Sequence, residues 1–255
     1  MPVRIIDLSL PLEDSPSEPL PIRVVHEDHS QSVEMACRFF GCSAEDLPGG
    51  LAWANDRLEI HAHAGTHVDA PWHYAPVSEG KKARSIDEMP LEWFFGDGVV
   101  LDMRWKERGS EIRAADLEVA LAKLGYELKA GDIVLIQTGA DKLWGTKEYF
   151  DAGCGMGRES TLWLLDRGIR VMGIDAWGWD RPFWAIREEF QRTADPSCIW
   201  AAHYVGRERE YCHIEKLANL DLIPVPHGFK VACFPIKLVG GSAGLCRPVA
   251  ILESD

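Results

Sequence analysis

The chain has 255 residues, of which 46% are hydrophobic and 26% charged, proportions that are close to the averages for globular proteins. Its 27 lysines and arginines against 40 aspartates and glutamates give a formal net charge of −13 at pH 7. This composition excludes a disordered or collagen-like chain. The acidic balance disfavours nucleic acid and anionic membranes as partners, because phosphate binding depends on Lys and Arg. We therefore expect a globular protein, with residues 1–255 in one domain.

The sequence also bears on the cellular compartment. Its seven cysteines are scattered, and no C-x-x-C motif occurs. An odd number without regular spacing is not typical of a disulfide framework and favours a reducing compartment. No apolar signal core begins the sequence, and no apolar run approaches the roughly 18 residues of a membrane span. We expect a cytoplasmic protein.

Strand and helix patterns follow one another along the chain. The segment 11–21 holds four prolines and is predicted as a loop. Helices are predicted at 114–124 and 159–167, with one or two short helices within 33–47. Strands are predicted at 4–8, 57–63, 99–103, 133–136, 169–174, 229–238 and 249–252. Helix and strand alternate in the middle of the chain, and further strands lie towards both ends, which predicts an α/β domain with a mixed sheet and flanking helices.

A cluster of histidines is the most unusual local feature. Four of the nine histidines fall within 13 residues: His61, His63, His67 and His73. If residues 59–63 are extended, His61 and His63 share a face. A turn at Gly65 can then bring His67 and Asp69 back towards that strand end. Three imidazoles and a carboxylate are suitable ligands for zinc, manganese or iron.

The cluster alone leaves its role open. A single histidine is more often a surface or hydrogen-bonded residue than a ligand, and spacing alone is as compatible with that role as with a metal site. His61 is a candidate bystander. Pro71 stiffens the loop that carries His73, and a rigid loop suits a group that transfers protons.

The string from His63 to His73, H-A-G-T-H-V-D-A-P-W-H, resembles the signature of the metal-dependent cyclase family, which includes bacterial kynurenine formamidases and isatin hydrolases. His203 and Glu215, with eleven residues between them, have the spacing of a later His and Glu pair of that family. His213 lies two residues before Glu215 and is a candidate to support it. Segments 135–139, 173–175, 215–224 and 234–242 extend the resemblance over most of the chain from about residue 57.

The resemblance implies a metal centre and an overall organisation. His63, His67 and Asp69 would hold one divalent ion, Zn or Mn. Asp69 would bridge to a second ion held by His203 and Glu215, and whether one or two ions bind is left open. The implied fold is an α/β domain of the swivelling β/β/α type, usually assembled as a homo-oligomer, a dimer or a tetramer.

The same resemblance implies a reaction. His73 would be the general acid and base beside a divalent ion that generates hydroxide at neutral pH and polarises a carbonyl. The implied activity is hydrolysis of an amide C–N bond in a small molecule, either a cyclic amide such as isatin or an aryl formamide such as N-formylkynurenine. The alternatives are an ester or lactone hydrolase, a dehydrating cyclase, and a metal-binding protein without catalysis. The presence of His73 disfavours the last of these.

Substrate-binding residues are harder to assign. Kynurenine formamidases typically carry a tryptophan after the N-terminal Asp-x-Ser segment, and this sequence has no aromatic residue there. Segment 33–50 resembles an insertion that could reshape the entrance. Trp72 is predicted to form a pocket wall. Trp177 belongs to an aromatic cluster that either lines the site or packs a loop.

A serine-hydrolase motif is the main competing signal. Residues 240–244 fit Gly-x-Ser-x-Gly, but the nucleophile elbow requires a helix after the serine. The sequence after Gly244 instead predicts a turn and a strand. No histidine follows Ser242 to complete a triad. We therefore reject Ser242 as a nucleophile.

Overall fold

Fifteen strands, five α-helices and nine short 3₁₀-helices form the regular structure of residues 3–253, which are the residues that the computed structural model describes. The strands are β1 (Val3–Asp7), β2 (Arg23–Glu27), β3 (Asn55–Glu59), β4 (His67–Asp69), β5 (Val77–Ser78), β6 (Lys81–Lys82), β7 (Phe95–Asp102), β8 (Glu111–Ile112), β9 (Ile133–Gln137), β10 (Gly155–Met156), β11 (Val171–Ile174), β12 (Cys212–Glu215), β13 (His227–Ala232), β14 (Ala243–Leu245) and β15 (Val249–Glu253). The helices are α1 (Val33–Phe40), α2 (Pro71–Tyr74), α3 (Ala114–Leu124), α4 (Arg158–Asp166) and α5 (Phe183–Thr193).

Nine of the strands form one mixed sheet. Their order is β1-β15-β13-β7-β9-β11-β12-β4-β14. Strands β7, β9, β11 and β12 run parallel to one another, and antiparallel strands extend the sheet on both sides. Two hydrophobic clusters cover its two faces. The expected α/β fold with a mixed sheet and flanking helices is confirmed.

The central helices and strands form where the sequence predicts them. Helix α3 has the predicted bounds, and its buried Leu117 and Leu121 pack into the core. The helix ends at Gly125, whose φ of 61° is the left-handed conformation that glycine adopts easily at a helix C-terminus. All five residues of β9 are buried, as expected for a parallel strand that is covered on both faces.

Two predicted strands end earlier than expected. The strand predicted at 57–63 ends at Glu59 and pairs with β2 in a separate two-stranded antiparallel sheet. A turn follows, in which the Ala64 N–H donates to the His61 carbonyl at 3.0 Å. The strand predicted at 229–238 ends at Ala232, shortly before Pro235, which has no N–H to donate.

Among residues 3–253, no helix combines the length and apolar character that crossing a bilayer requires.

Candidate metal centre

Two neighbouring strands place four potential metal ligands on one face of the main sheet. Strand β4 pairs antiparallel with β12 so that Asp69 lies opposite His213 and His67 lies opposite Glu215. Alternate residues of a strand share a face, and directly opposed residues on paired strands lie on the same side. All four side chains are buried, and Val68 between them points into the hydrophobic core on the other side.

Three further histidines surround this face. Gly65, with a φ of 66°, turns the chain so that His63 Nδ1 lies 2.8 Å from Asp69 Oδ1. The expected turn at Gly65 is therefore present, although His61 precedes it in a loop, is exposed and shares no strand with His63. His73 and His203 each place Nε2 3.6 Å from Asp69 Oδ2. The structure thus brings together all five predicted ligands and the predicted proton-transfer residue.

Hydrogen bonds fix the orientation of these imidazoles. His67 Nδ1 lies 2.9 Å from the Gly65 carbonyl, which leaves Nε2 directed at the carboxylates. His203 Nδ1 lies 2.5 Å from Asp180 Oδ2, so its Nε2 also points inward. Metal-binding histidines usually bind a carboxylate or carbonyl through their second nitrogen in this way. His213 also points inward, because its Nδ1 lies 3.0 Å from the Tyr74 hydroxyl.

The two buried carboxylates at the centre are negatively charged. Burial favours the neutral acid, but His73 and His67 outweigh it and hold the pKa of Asp69 well below its ordinary value of 3.8. For Glu215, burial and the nearby charge of Asp69 both favour the neutral acid and so act to raise its pKa. Hydrogen bonds from His203 and His213 outweigh them, so that the pKa of Glu215 is also well below the usual range.

Several buried polar atoms at this centre lack a hydrogen bond of good geometry from any residue of 3–253. They are His67 Nε2 and both carboxylate oxygens of Asp69, although His67 Nε2 and His63 Nδ1 lie 3.1 and 2.8 Å from Asp69 Oδ1. Unpaired buried polar atoms are uncommon in folded proteins, so a converging group of them calls for a ligand. The donor atoms fall into two groups, and within each group they all lie within 4.8 Å of one another. The first group is Asp69, His203, His213 and Glu215, and the second is His63, Asp69 and His73. Nitrogen and carboxylate donors around buried negative charge fit a divalent cation.

His73 lies at the solvent side of this cluster. Its side chain is 23% exposed, and its ring centroid is 3.8 Å from that of His63. Burial, together with the neighbouring His63 and His203, outweighs the attraction of Asp69 and lowers the pKa of His73 to about 4. The imidazole is therefore uncharged at neutral pH and able to accept a proton.

A largely apolar cavity of about 200 Å³ opens onto the cluster at His63, His73, His203 and Glu215. Its apolar wall is formed by Leu20, Phe150, Ala152, Ala176, Trp177, Pro182, Phe183 and Trp200. Trp177 is thus in the wall, in edge-to-face contact with Phe150 at 4.7 Å and with Phe183 at 5.5 Å between ring centroids.

Trp72, the other residue predicted to line the pocket, is outside this wall. The residue is 39% exposed, and Lys82 Nζ lies 6.0 Å from the centroid of its ring. Both Trp72 and His73 belong to α2, and successive helix residues are rotated by about 100°. A helix that turns His73 towards the cavity therefore turns Trp72 away from it.

Sequence reasoning missed two residues at the site. Trp200 stacks on His203 at 4.2 Å and meets His73 edge-on at 5.1 Å between ring centroids. Its φ of 51° is rare for a bulky residue, and such backbone strain clusters at functional sites. The sequence around Trp200 has no helix or strand pattern that could have indicated it. Asp180 was also missed, because only the fold brings it to His203.

The sequence is similar to a known family over most of its length. Residues 6–181 match the Cyclase family model, described as "Putative cyclase". Kynurenine formamidase of Erythrobacter litoralis is 29% identical over 199 residues, which are 76% of this chain and 74% of that protein. Cyclase-like protein 2 of Arabidopsis thaliana is 26% identical over 226 residues, 86% of this chain and 73% of that protein.

Solved structures share the fold over nearly the whole chain. Isatin hydrolase A from Labrenzia aggregata, bound to benzyl benzoate, has a TM-score of 0.73 at 25% identity and covers 99% of this chain and 94% of its own. An isatin hydrolase bound to the product analogue thioisatinate has a TM-score of 0.76 at 21% identity, with 99% and 93% covered. The family match spans more than half of the sequence. The chain therefore belongs to the cyclase family and is an enzyme, a metal-dependent hydrolase.

Proposed function

We propose that this enzyme hydrolyses the C–N bond of a neutral aromatic amide, a cyclic amide such as isatin or an aryl formamide. The observation that carries the proposal is the cavity, whose aromatic wall leads directly to a cluster of buried histidines and carboxylates. Aromatic walls bind ring-bearing ligands, and the cluster lies where a carbonyl group of such a ligand would enter. Relatives that are named kynurenine formamidase and isatin hydrolase support the same class of reaction.

The charges of the wall favour the cyclic amide over N-formylkynurenine. Among the described residues that line the cavity, Arg181 is the one arginine or lysine, and it forms an ion pair with Glu189. An amino-acid substrate brings a carboxylate that needs a cationic partner when it is buried. A neutral ring needs none.

We further propose that His63, His67 and Asp69 hold one divalent ion, Zn or Mn, and that Asp69 is shared with a second position formed by His203 and Glu215. The two oxygens of Asp69 support this division, because Oδ1 lies near His63 and His67 while Oδ2 lies near His203. A divalent ion supplies a Lewis acid for the carbonyl and makes hydroxide available at neutral pH.

The roles of the remaining residues follow from their positions. His73, uncharged and facing the cavity, accepts a proton during attack on the carbonyl and returns it to the leaving nitrogen. His213 Nε2 lies 3.1 Å from Asp69 Oδ2 and 3.2 Å from Glu215 Oε1, and so lies between the two carboxylates. Trp177 contacts the ring of the substrate.

An ester or lactone is the second candidate substrate, because the same wall accepts any neutral ring and benzyl benzoate is bound by one structural relative. A dehydrating cyclase would use the same donors. A non-catalytic metal binder is disfavoured, since His73 lies beside the donor cluster with its side chain open to the cavity. We also propose a homo-oligomer, a dimer or a tetramer, in the cytoplasm.

The test is a hydrolysis screen of the purified protein supplied with Zn or Mn. We expect isatin to be opened faster than N-formylkynurenine and faster than simple lactones. His63→Ala should lose bound metal and turnover, whereas His61→Ala, which changes an exposed histidine of the same sequence cluster, should keep both. Turnover of lactones alone would establish the ester alternative, and elemental analysis without any divalent ion would contradict the metal centre.

A further inference from the structure

A fully buried lysine follows the proposed ligand Glu215 directly. The side chain of Lys216 has no solvent exposure, and its backbone φ of 60° is in the left-handed region. Its N–H donates to the Ala176 carbonyl at 3.0 Å, and its carbonyl accepts from Thr66 Oγ1 at 2.6 Å. A buried ammonium and an unfavourable backbone angle at one residue are both costly, so they persist only where the surroundings hold them in place.

The ammonium of Lys216 has two hydrogen-bond acceptors and one aromatic neighbour. Nζ lies 2.6 Å from Glu18 Oε2 and 2.6 Å from the His63 carbonyl oxygen. It also lies 4.6 Å from the centroid of the Trp177 ring, within the range of a cation–π contact. One cation therefore touches a proposed metal ligand and a residue of the cavity wall.

Glu18, the partner of Lys216, is equally well enclosed. Its side chain is 1% exposed. Oε1 accepts from the Leu20 N–H and from Trp177 Nε1, both at 3.3 Å, and Oε2 accepts from the Gly65 N–H at 3.3 Å as well as from Lys216. Four donors thus occupy the roughly four lone-pair positions of a carboxylate.

These contacts join three segments that build the site. Leu20 comes from the N-terminal loop, Trp177 from the loop after β11, and His63 from the loop before β4, and all three line the cavity. A buried ion pair is often no better for stability than apolar side chains of the same volume. What a fully bonded pair contributes is a fixed position for each group that it touches.

We propose that Glu18 and Lys216 are positioning residues of the enzyme, whose ion pair fixes the wall formed by Leu20 and Trp177 relative to His63. Neither Glu18 nor Lys216 lines the cavity, so the pair does not contact the substrate and acts through the residues that it binds. It therefore determines how tightly the cavity binds the ring of a substrate, and this part of the proposal rests on the proposed function.

The experiment compares Lys216→Met with the double variant Glu18→Gln/Lys216→Met, which leaves no buried charge unpaired. Lys216→Met should unfold at a lower temperature, and the double variant should recover much of that loss. In both variants we expect KM for isatin to rise about tenfold while kcat stays within about threefold, because the wall is displaced in both. The control is Lys106→Met, since Lys106 forms a less deeply buried pair with Asp116, 14% and 17% exposed, at 2.7 Å and away from the cavity.

Two results would overturn the proposal. If KM in the double variant returns to the wild-type value along with stability, the pair is only structural, and the same holds if KM is unchanged in both variants. If Lys216→Met does not fold, KM of the double variant alone distinguishes a positioning role from a purely structural one.

A second measurement does not depend on turnover. If the wild-type enzyme opens neither isatin nor N-formylkynurenine, the proposed function fails, and amide hydrogen exchange of Glu18→Gln tests the pair by itself. The amides of Leu20 and Gly65 should exchange at least about tenfold faster than in the wild type. The exchange rate of the Trp179 amide, which donates to Glu215 at 2.8 Å, should be the same as in the wild type. Unaltered exchange at Leu20 and Gly65 would rule out a positioning role.

Discussion

His73, like His63 with its 21% exposure, is a partly exposed histidine that faces the cavity. Its side chain is 23% exposed, whereas those of His67 and His203 are 0% and 3% exposed. We expect His73→Ala to retain its divalent metal and to lose turnover by roughly 10²–10⁴-fold, because proton transfer is removed and the ligands are kept. Elemental analysis and kcat of the same preparation test this. Unchanged kcat would exclude His73 from proton transfer, and loss of the metal would make it a ligand.

Asp180 offers a test of how the ligands are oriented. Its carboxylate binds His203 Nδ1 and also accepts the backbone N–H groups of Ala202 and His203 at 2.8 and 3.0 Å. Asp180→Asn keeps the size of the side chain and removes the negative charge that orients the imidazole. Metal affinity or activity should fall by about 10–100-fold.

The matched control for this variant is Asp195→Asn, an exposed aspartate nearby in the chain that accepts the Ser197 N–H at 2.9 Å. Its substitution should leave metal affinity unchanged. Equal losses of metal affinity in the two variants would show that Asp180 does not act by orienting the imidazole of His203.

At the scale of the element, helix α3 shows how one side chain stabilises a helix start. Asp116 accepts the Arg113 N–H at 2.8 Å and Lys106 Nζ at 2.7 Å. Burial raises the pKa of Asp116, but these bonds outweigh it and lower the pKa below its ordinary value of 3.8. Because the pKa is lower in the folded state, the charged carboxylate stabilises the fold above pH 3.8, and this contribution is lost as the pH falls through the folded-state pKa.

Asp116→Asn should therefore reduce the free energy of unfolding by about 1 kcal/mol at pH 7, as for the loss of a helix cap. The difference from the wild type should shrink when the pH falls below 3.8. Urea unfolding at pH 7 and at a pH below 3.8 measures this difference in the free energy of unfolding. A difference that does not depend on pH would show that the charge of Asp116 contributes nothing.

The predictability of each element depends on how local its signal is. Helix α3 could be located because its apolar face and its terminal glycine are neighbours in the sequence. Strands β4 and β12 could not, since they alternate ligands with apolar residues and are only three and four residues long. The signature motif singles out His67 and Asp69 as ligands, but that Asp69 lies opposite His213 is decided by strand register, which the sequence does not display.

At the scale of the whole molecule, the buried carboxylates would couple the binding of a divalent ion to stability. Without a cation, Asp69 and Glu215 are two anions almost removed from solvent, with exposed fractions of 0% and 6%. A ligand that binds only the folded state stabilises it by mass action. Chelation should therefore lower the melting temperature by about 5–10 °C, and added Zn or Mn should restore it. His63→Ala should respond less to the chelator, and an unchanged melting temperature would contradict a tightly bound ion.

The pairing of β4 with β12 has a consequence for redesign. The backbone of the paired strands fixes the positions of His67, Asp69, His213 and Glu215, so each of these candidate ligands can be exchanged for another donor without rebuilding a loop. A one-residue shift in the register of either strand would instead turn the donors of that strand to the opposite face and bring its intervening aliphatic side chain in their place. Substitutions that change the preferred metal are therefore compatible with this pair of strands, whereas changes in the length of either strand are not.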